Sequence, residues 1–153
     1  MNKVKGVSVF GGRVITKEVY DDTVIIGKQL AKEGYIVFCG GGQGVMEAIS
    51  KGVKSENGLV FDILKGQDID EANAYLTIPI STGIGIVRNA VLAYNCDVAI
   101  VISGQYGTFS EISNAFQLDK PVIGYETWDI EPIIKAESPN DVIIKLTKEY
   151  NNV

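Results

Sequence analysis

The sequence predicts an α/β fold, with a mainly parallel central sheet between two layers of helices. Three observations predict it. Short runs rich in Val, Ile and Phe alternate with longer segments of helical period along the 153 residues, the pattern of parallel strands buried on both faces. Four of those runs lead straight into glycine-bearing turns, as strands do when each is followed by a helix. Hydrophobic residues make up 46% of the chain at a mean hydropathy of +0.14, enough to fill the core of a single domain.

The first strand is expected at 4–10, and Thr16 then caps a helix carrying Tyr20, Val24, Ile25 and Leu30 at helical spacing and ending at Gly34. A strand at 35–39 follows at once. Past Gly40, Gly41, Gly42 and Gly44 a short helix runs through Met46, Ile49 and Val53, then a strand at 59–64. Residues 65–74 read as an acidic surface loop. A fourth strand is expected at 75–80, a helix at 86–95, and an almost unbroken apolar strand at 97–102 that belongs near the sheet centre. The next helix opens near Thr108 and stops at Lys120-Pro121. A strand at 122–125 follows, and Ser138-Pro139 supply a cap and a first-turn proline for a last helix through Val142, Ile143 and Leu146. No linker or repeat divides the chain, so residues 1–153 are expected to form one domain.

Composition narrows the function. Fourteen basic against nineteen acidic residues give a net charge of -5, and the pI is near 4.7. No overall positive field exists to attract a polyanion, so no stable nucleic-acid partner is expected. Histidine is absent, which removes imidazole as base, proton shuttle and metal ligand. The two cysteines, Cys39 and Cys96, lie in or beside apolar runs and indicate neither a disulfide framework nor a CxxC site. The expected setting is a reducing cytoplasm. No signal peptide or membrane-spanning run is read from the chain.

Glycine is over-represented, at 17 residues, and its placement matters. The four turns are Gly11-Gly12, Gly40 to Gly44, Thr82 to Gly85 and Gly104 to Gly107, and all of them follow strand C-termini. In an open parallel sheet those ends share one edge, where glycine lets backbone N–H groups approach an anion and the following helix turns its positive end toward it. Any single turn reads equally as a tight βα connection. Four on one edge predict an anion-binding crevice. Neither GxGxxG nor GxxxxGK[ST] is present, so the dinucleotide oxidoreductase and P-loop readings lose their motifs.

The segments Gly40-Gly41-Gly42-Gln43-Gly44-Val45-Met46-Glu47-Ala48 and Ser103-Gly104-Gln105-Tyr106-Gly107-Thr108-Phe109-Ser110-Glu111 resemble the paired signatures GGGxGxM and PGGxGTxxE. These mark the Lonely Guy-like superfamily, whose members are often mislabelled lysine decarboxylases. Glu71-Ala72-Asn73, Thr82 to Gly85 and Arg88-Asn89 resemble its molybdenum cofactor carrier branch, related to the DNA-processing protein DprA. The resemblance implies a Rossmann-like three-layer fold and a homo-oligomer, dimer or tetramer, holding a phosphate-bearing ligand. Enzymes of the superfamily hydrolyse nucleoside 5'-monophosphates to free base and ribose 5-phosphate, with an arginine and a glutamate that fall here on Arg88 and Glu111. The chain departs from the pattern at Ser103 and Gln105, which replace a proline and a glycine, and at Asp62 and Lys65, where relatives tend to carry glycine and proline. A carboxylate at position 62 would repel a phosphate if it faced the crevice.

Several residues carry two readings. Thr108 and Glu111 form a T-x-x-E capping box at the expected helix start, and the same Glu111 could stabilise an oxocarbenium ion or orient water. Arg13 and Arg88, the only arginines, follow glycine turns and suit phosphate; Arg13 reads equally as a solvated surface residue. Tyr106 could stack on a base or pterin ring, or contact an oligomer partner. Cys39 reads as packing, and Asp68, Asp70 and Glu71 as a solvated loop, so no metal site is expected. Helices presenting Tyr20, Ile26 and Tyr94 are expected at a subunit interface.

The expected function is binding, as carrier or sensor, of a nucleotide-like or pterin phosphate such as molybdenum cofactor, with no cofactor required. Its expected ligand-binding residues are Gly11, Gly12, Gly41, Gly42, Gly44, Val45, Met46, Thr82, Gly83, Arg88, Asn89, Gly104, Gln105, Tyr106, Gly107 and Thr108. The alternative is a phosphoribohydrolase acting through Arg88 and Glu111.

Overall fold

A computed structural model describes residues 4–153. Strands β1 (Gly6–Gly11), β2 (Ile36–Cys39), β3 (Val60–Leu64), β4 (Ile78–Ser81), β5 (Val98–Ile102), β6 (Val122–Tyr125) and β7 (Ile134–Ala136) form one sheet in the order β4-β3-β2-β1-β5-β6-β7. Every neighbouring pair is parallel. The α/β, Rossmann-like fold expected from the sequence is therefore present, with a sheet that is wholly rather than mainly parallel among the described residues.

The helices are α1 (Lys17–Lys32), α2 (Val45–Ser55), α3 (Arg88–Tyr94), α4 (Tyr106–Gln117) and α5 (Pro139–Asn152). Helix α1 packs on α2 and α5, whereas α3 packs on α4, so the helices divide between the two sheet faces. Strand β5 explains the division. Val98, Ile100 and Ile102 join the core under α1, α2 and α5, and the alternating Ala99 and Val101 join the core under α3 and α4. Both of its faces are buried, which is why its sequence is continuously apolar rather than alternating. Helices α1 and α2 approach closely because a Cβ on Gly27 would stand 2.6 Å from the Ile49 carbonyl and one on Gly52 would stand 2.2 Å from that of Val24.

The expected caps of α1 and α5 are both formed: Thr16 Oγ1 accepts from the Val19 amide at 3.2 Å, and Ser138 Oγ from that of Asp141 at 3.1 Å. Four expectations are corrected. The loop at 65–74 holds a 3-10 turn, Ile69–Glu71; β4 starts three residues late, at Ile78; α4 opens at Tyr106; and β7 was not anticipated. Ile26 is fully buried beneath α1 and Tyr20 donates to Glu47 at 2.8 Å, which leaves Tyr94, 69% exposed, as the solvent-facing member of the expected interface trio.

Candidate functional site

The chain steps outward from β1 through β2 and β3 to β4, then crosses to the other side of β1 at β5. Connections on the two sides of this reversal diverge and leave a crevice at the strand C-termini. A cleft of about 540 Å³ opens there. Of the expected residues, Gly11, Gly42, Met46, Arg88, Asn89, Gln105, Gly107, Thr108 and Glu111 line it, together with Arg13, Gly40, Leu64, Lys65 and Glu71.

The glycine loop after β2 forms the floor, and its shape is held from outside. Asn73, almost fully buried, donates from Nδ2 to the carbonyls of Gly41 and Gly42 at 3.2 and 3.0 Å, and its own amide donates to the Gly41 carbonyl at 2.8 Å. Gly44 takes φ 66°, and a Cβ there would stand 2.4 Å from the Gly12 carbonyl. The loops after β1 and β2 can therefore touch only through glycine.

Arg88 stands 3% exposed at the start of α3. Its Nη1 donates to the carbonyls of Gly40 and Ile63 at 2.9 and 2.7 Å, and its Nε donates to Asn89 Oδ1 at 3.1 Å. The guanidinium thus ties the ends of β2 and β3 together at the cleft wall, and much of its donor capacity is spent on backbone. Burial lowers its pKa, against the opposing pull of the Glu111 charge.

Helix α4 supplies the opposite wall. Thr108 Oγ1 accepts from the Gln105 amide at 3.1 Å, and the Thr108 amide donates to the Gln105 carbonyl at 2.9 Å. The helix therefore begins a turn before Thr108, and the expected Thr108–Glu111 capping box is not formed. Glu111 lies in the second turn instead, 7% exposed, with no hydrogen-bond partner among the described residues. Burial pushes its carboxyl up to about 7, while the Arg88 and Lys65 charges pull the other way. Near neutrality it can hold or release a proton. The first amides of α4, at Tyr106 and Gly107, lack intrahelical acceptors. Beside them Ser103 takes φ 54°, which proline cannot adopt, so this loop leaves β5 on a different path from a proline-led one.

Asp62 does not face the crevice. It is fully buried beneath the glycine loop, where Oδ1 accepts from the Cys39 thiol at 3.0 Å and from Ser50 Oγ at 3.3 Å, and Oδ2 has no hydrogen-bond partner among the described residues. Burial raises its pKa to about 6 and that of Cys39 well above the ordinary thiol value. The other expected residues stand off the cleft surface. Gly12, Gly41, Gly44, Val45 and Gly104 support the loops from behind; a Cβ on Gly104 would strike Trp128 at 2.4 Å. Thr82 Oγ1 donates to the Leu64 carbonyl at 2.6 Å, and Gly83 donates to that of Gly66 at 2.9 Å, which pins the loop that carries Lys65. Tyr106 is 94% exposed and turned to solvent. Gly40 and Glu71 lie in motifs read from the sequence but were not among the expected lining residues, and Leu64 and Lys65, at and just after the end of β3, reach the cleft without any motif to mark them. Among the described residues no Cys, Asp and Glu cluster could hold a metal ion, and no helix is long and apolar enough to cross a membrane.

Sheet order, reversal point and glycine-floored cleft define a Rossmann-like α/β protein. The chain belongs to the SLOG cluster4 family, whose family model matches residues 4–152. An uncharacterized protein of Archaeoglobus fulgidus is 37% identical over 120 residues, which cover 78% of this chain and 79% of that relative. The structure is similar to that of the molybdenum cofactor binding protein from Rippkaea orientalis, with a TM-score of 0.89 at 28% identity over 97% of this chain and 98% of that one. A molybdenum cofactor carrier protein from Chlamydomonas reinhardtii gives 0.89 at 25% identity over 97% and 99%. DprA from Streptococcus pneumoniae shares the fold alone, at a TM-score of 0.73 and 14% identity over 93% of this chain and 62% of that one. The resemblance to a molybdenum cofactor carrier branch, read from Glu71-Ala72-Asn73, Thr82 to Gly85 and Arg88-Asn89, is borne out.

Proposed function

We propose that the cleft binds a small phosphate-bearing ligand of nucleotide or pterin type and carries it without converting it. The observation that carries this reading is the meeting, around one cleft, of Arg13, Lys65 and the open N-terminus of α4 over a floor of backbone glycines. Such a floor admits close approach, and the flanking cations and helix dipole favour negative charge. The carrier and binding proteins among its structural neighbours support molybdenum cofactor as the cargo. Ile86, Val87 and Tyr94, exposed beside α3, support assembly into a homo-oligomer. The buried free thiols Cys39 and Cys96 support a reducing, cytoplasmic setting. Equilibrium dialysis with GMP at low and high salt tests the reading: saturable binding that weakens with salt is expected, and salt-insensitive or absent binding contradicts an anion site.

One observation favours a second reading, phosphoribohydrolase activity. Glu111 has a pKa near 7 at the cleft wall, which suits it to move a proton during N-glycosidic cleavage. In this reading Glu111→Gln abolishes base release while ligand binding persists.

A further inference from the structure

The cleft carries two cations at its mouth, yet one of the buried groups that face it is an acceptor without a protein donor among the described residues. Arg13, Lys65 and Glu71, all exposed, line the mouth, whereas Arg88 spends Nη1 on the Gly40 and Ile63 carbonyls and Nε on Asn89 Oδ1. Glu111, more than nine-tenths buried, faces the same space with no hydrogen bond among the described residues. Asn89, 5% exposed, lines the same cleft; its Oδ1 is taken by Arg88 Nε, and its Nδ2 has no partner among the described residues. A buried carboxylate without a donor is costly unless a ligand supplies one or the group is protonated.

A bare oxyanion such as sulfate offers only acceptors. Drawn in by Arg13, Lys65 and the α4 amides, it brings like charge toward Glu111 and leaves that carboxylate unsatisfied. A phosphate ester with hydroxyl or N–H groups satisfies both ends, its phosphate at the cations and a donor on Glu111, with Asn89 free to donate in return. Resting on the reading that the cleft binds anionic ligands, we propose that Glu111 selects phosphate esters carrying a hydroxyl or N–H donor and rejects bare oxyanions. The raised Glu111 pKa adds a pH signature: the neutral acid tolerates a bare anion and the carboxylate does not. The charged groups that line the cleft with it are Arg88 from α3, Lys65 after β3, Arg13 after β1 and Glu71 of the 3-10 turn; Asp62 lies off the cleft, below the glycine loop. Of these, Asp62 also titrates near this range, at about 6.

The test is calorimetric titration of the wild-type chain and Glu111→Gln with sulfate, which keeps its charge across the range, at pH 6, 7 and 8, and with ribose 5-phosphate at pH 8. Sulfate affinity of the wild type is expected to fall about twofold from pH 6 to 7 and about fivefold from pH 7 to 8, the onset of a single required proton. In Glu111→Gln that slope vanishes, sulfate binds about tenfold tighter than to wild type at pH 8, and ribose 5-phosphate binds more weakly. Asp62→Asn keeps the wild-type slope. The wild-type profile stands whether or not the variant folds, and a flat one overturns the inference, as does a Glu111→Gln variant whose preference between the two probes is unchanged. If neither probe binds the wild type at any pH, the underlying anion-binding reading fails as well.

Discussion

Asp62→Asn should gain in stability relative to the wild type as pH rises, and the gain should appear only where the carboxyl ionises, because the buried Nδ2 of asparagine costs the same at every pH. Asp62 is fully buried, Oδ1 is shared by Cys39 and Ser50, and Oδ2 has no hydrogen-bond partner among the described residues. Its pKa rises from 3.8 to about 6 on folding because burial disfavours the charge. Below pH ~3 both folded and unfolded chains are protonated, so the shift contributes nothing. Between about 3 and 6 the unfolded chain ionises first and stability falls; above 6 the loss levels off at about 3 kcal/mol, the equivalent of roughly two pH units. Asparagine keeps the shape and an acceptor for the Cys39 thiol without a charge to bury. The stability difference between variant and wild type should therefore widen by about 2.5 kcal/mol from pH 4 to pH 8, or roughly 5–10 °C in Tm for a chain of this size. Urea denaturation followed by the fluorescence of Trp128, the only tryptophan, measures it at each pH. A difference that stays constant or narrows as pH rises would refute the reasoning.

Other expectations follow from the loops. Asn73→Ala removes the two donations to the Gly41 and Gly42 carbonyls and the acceptor for the Tyr75 amide at 2.9 Å; it should cost about 1–3 kcal/mol in urea denaturation and weaken GMP binding in dialysis. Gly44→Ala forces a Cβ against the Gly12 and Arg13 carbonyls at φ 66°, so a destabilisation of more than about 2 kcal/mol is expected by the same denaturation assay. Lys65→Ala should lower GMP affinity roughly three- to tenfold at low salt, with the deficit shrinking in high salt as screening removes what the lysine supplied.

The parts of this protein legible in its sequence are those fixed by local pattern. Strand β5 announced itself because burial on both faces demands an unbroken apolar run, and the sheet edge carrying the site announced itself because loops that touch at Gly44 admit no side chain. Strand β7 stayed hidden since Ile134, Lys135 and Ala136 at the sheet margin are too few to show a period. Helix α4 began early because Gln105, an unusual cap, is served by Thr108 from inside the helix, and that displacement moved Glu111 from a cap into the cleft wall. The engagement of Arg88 by the Gly40 and Ile63 carbonyls joins residues far apart in the chain, so spacing could suggest a phosphate ligand but not this backbone clamp. Asp62 raised the question of a carboxylate near phosphate; only packing answered that it points down, away from the crevice.

Retention without conversion is the central claim, and mass spectrometry of small molecules tests it most directly. The purified chain and Glu111→Gln are incubated in parallel with mixed nucleoside 5'-monophosphates, and both the protein-bound and the free fractions are analysed. The account predicts an intact nucleotide or a co-purified pterin on the protein, with no free base in solution. Free base together with ribose 5-phosphate, formed by the wild type and absent with the variant, would contradict it and make the chain a phosphoribohydrolase.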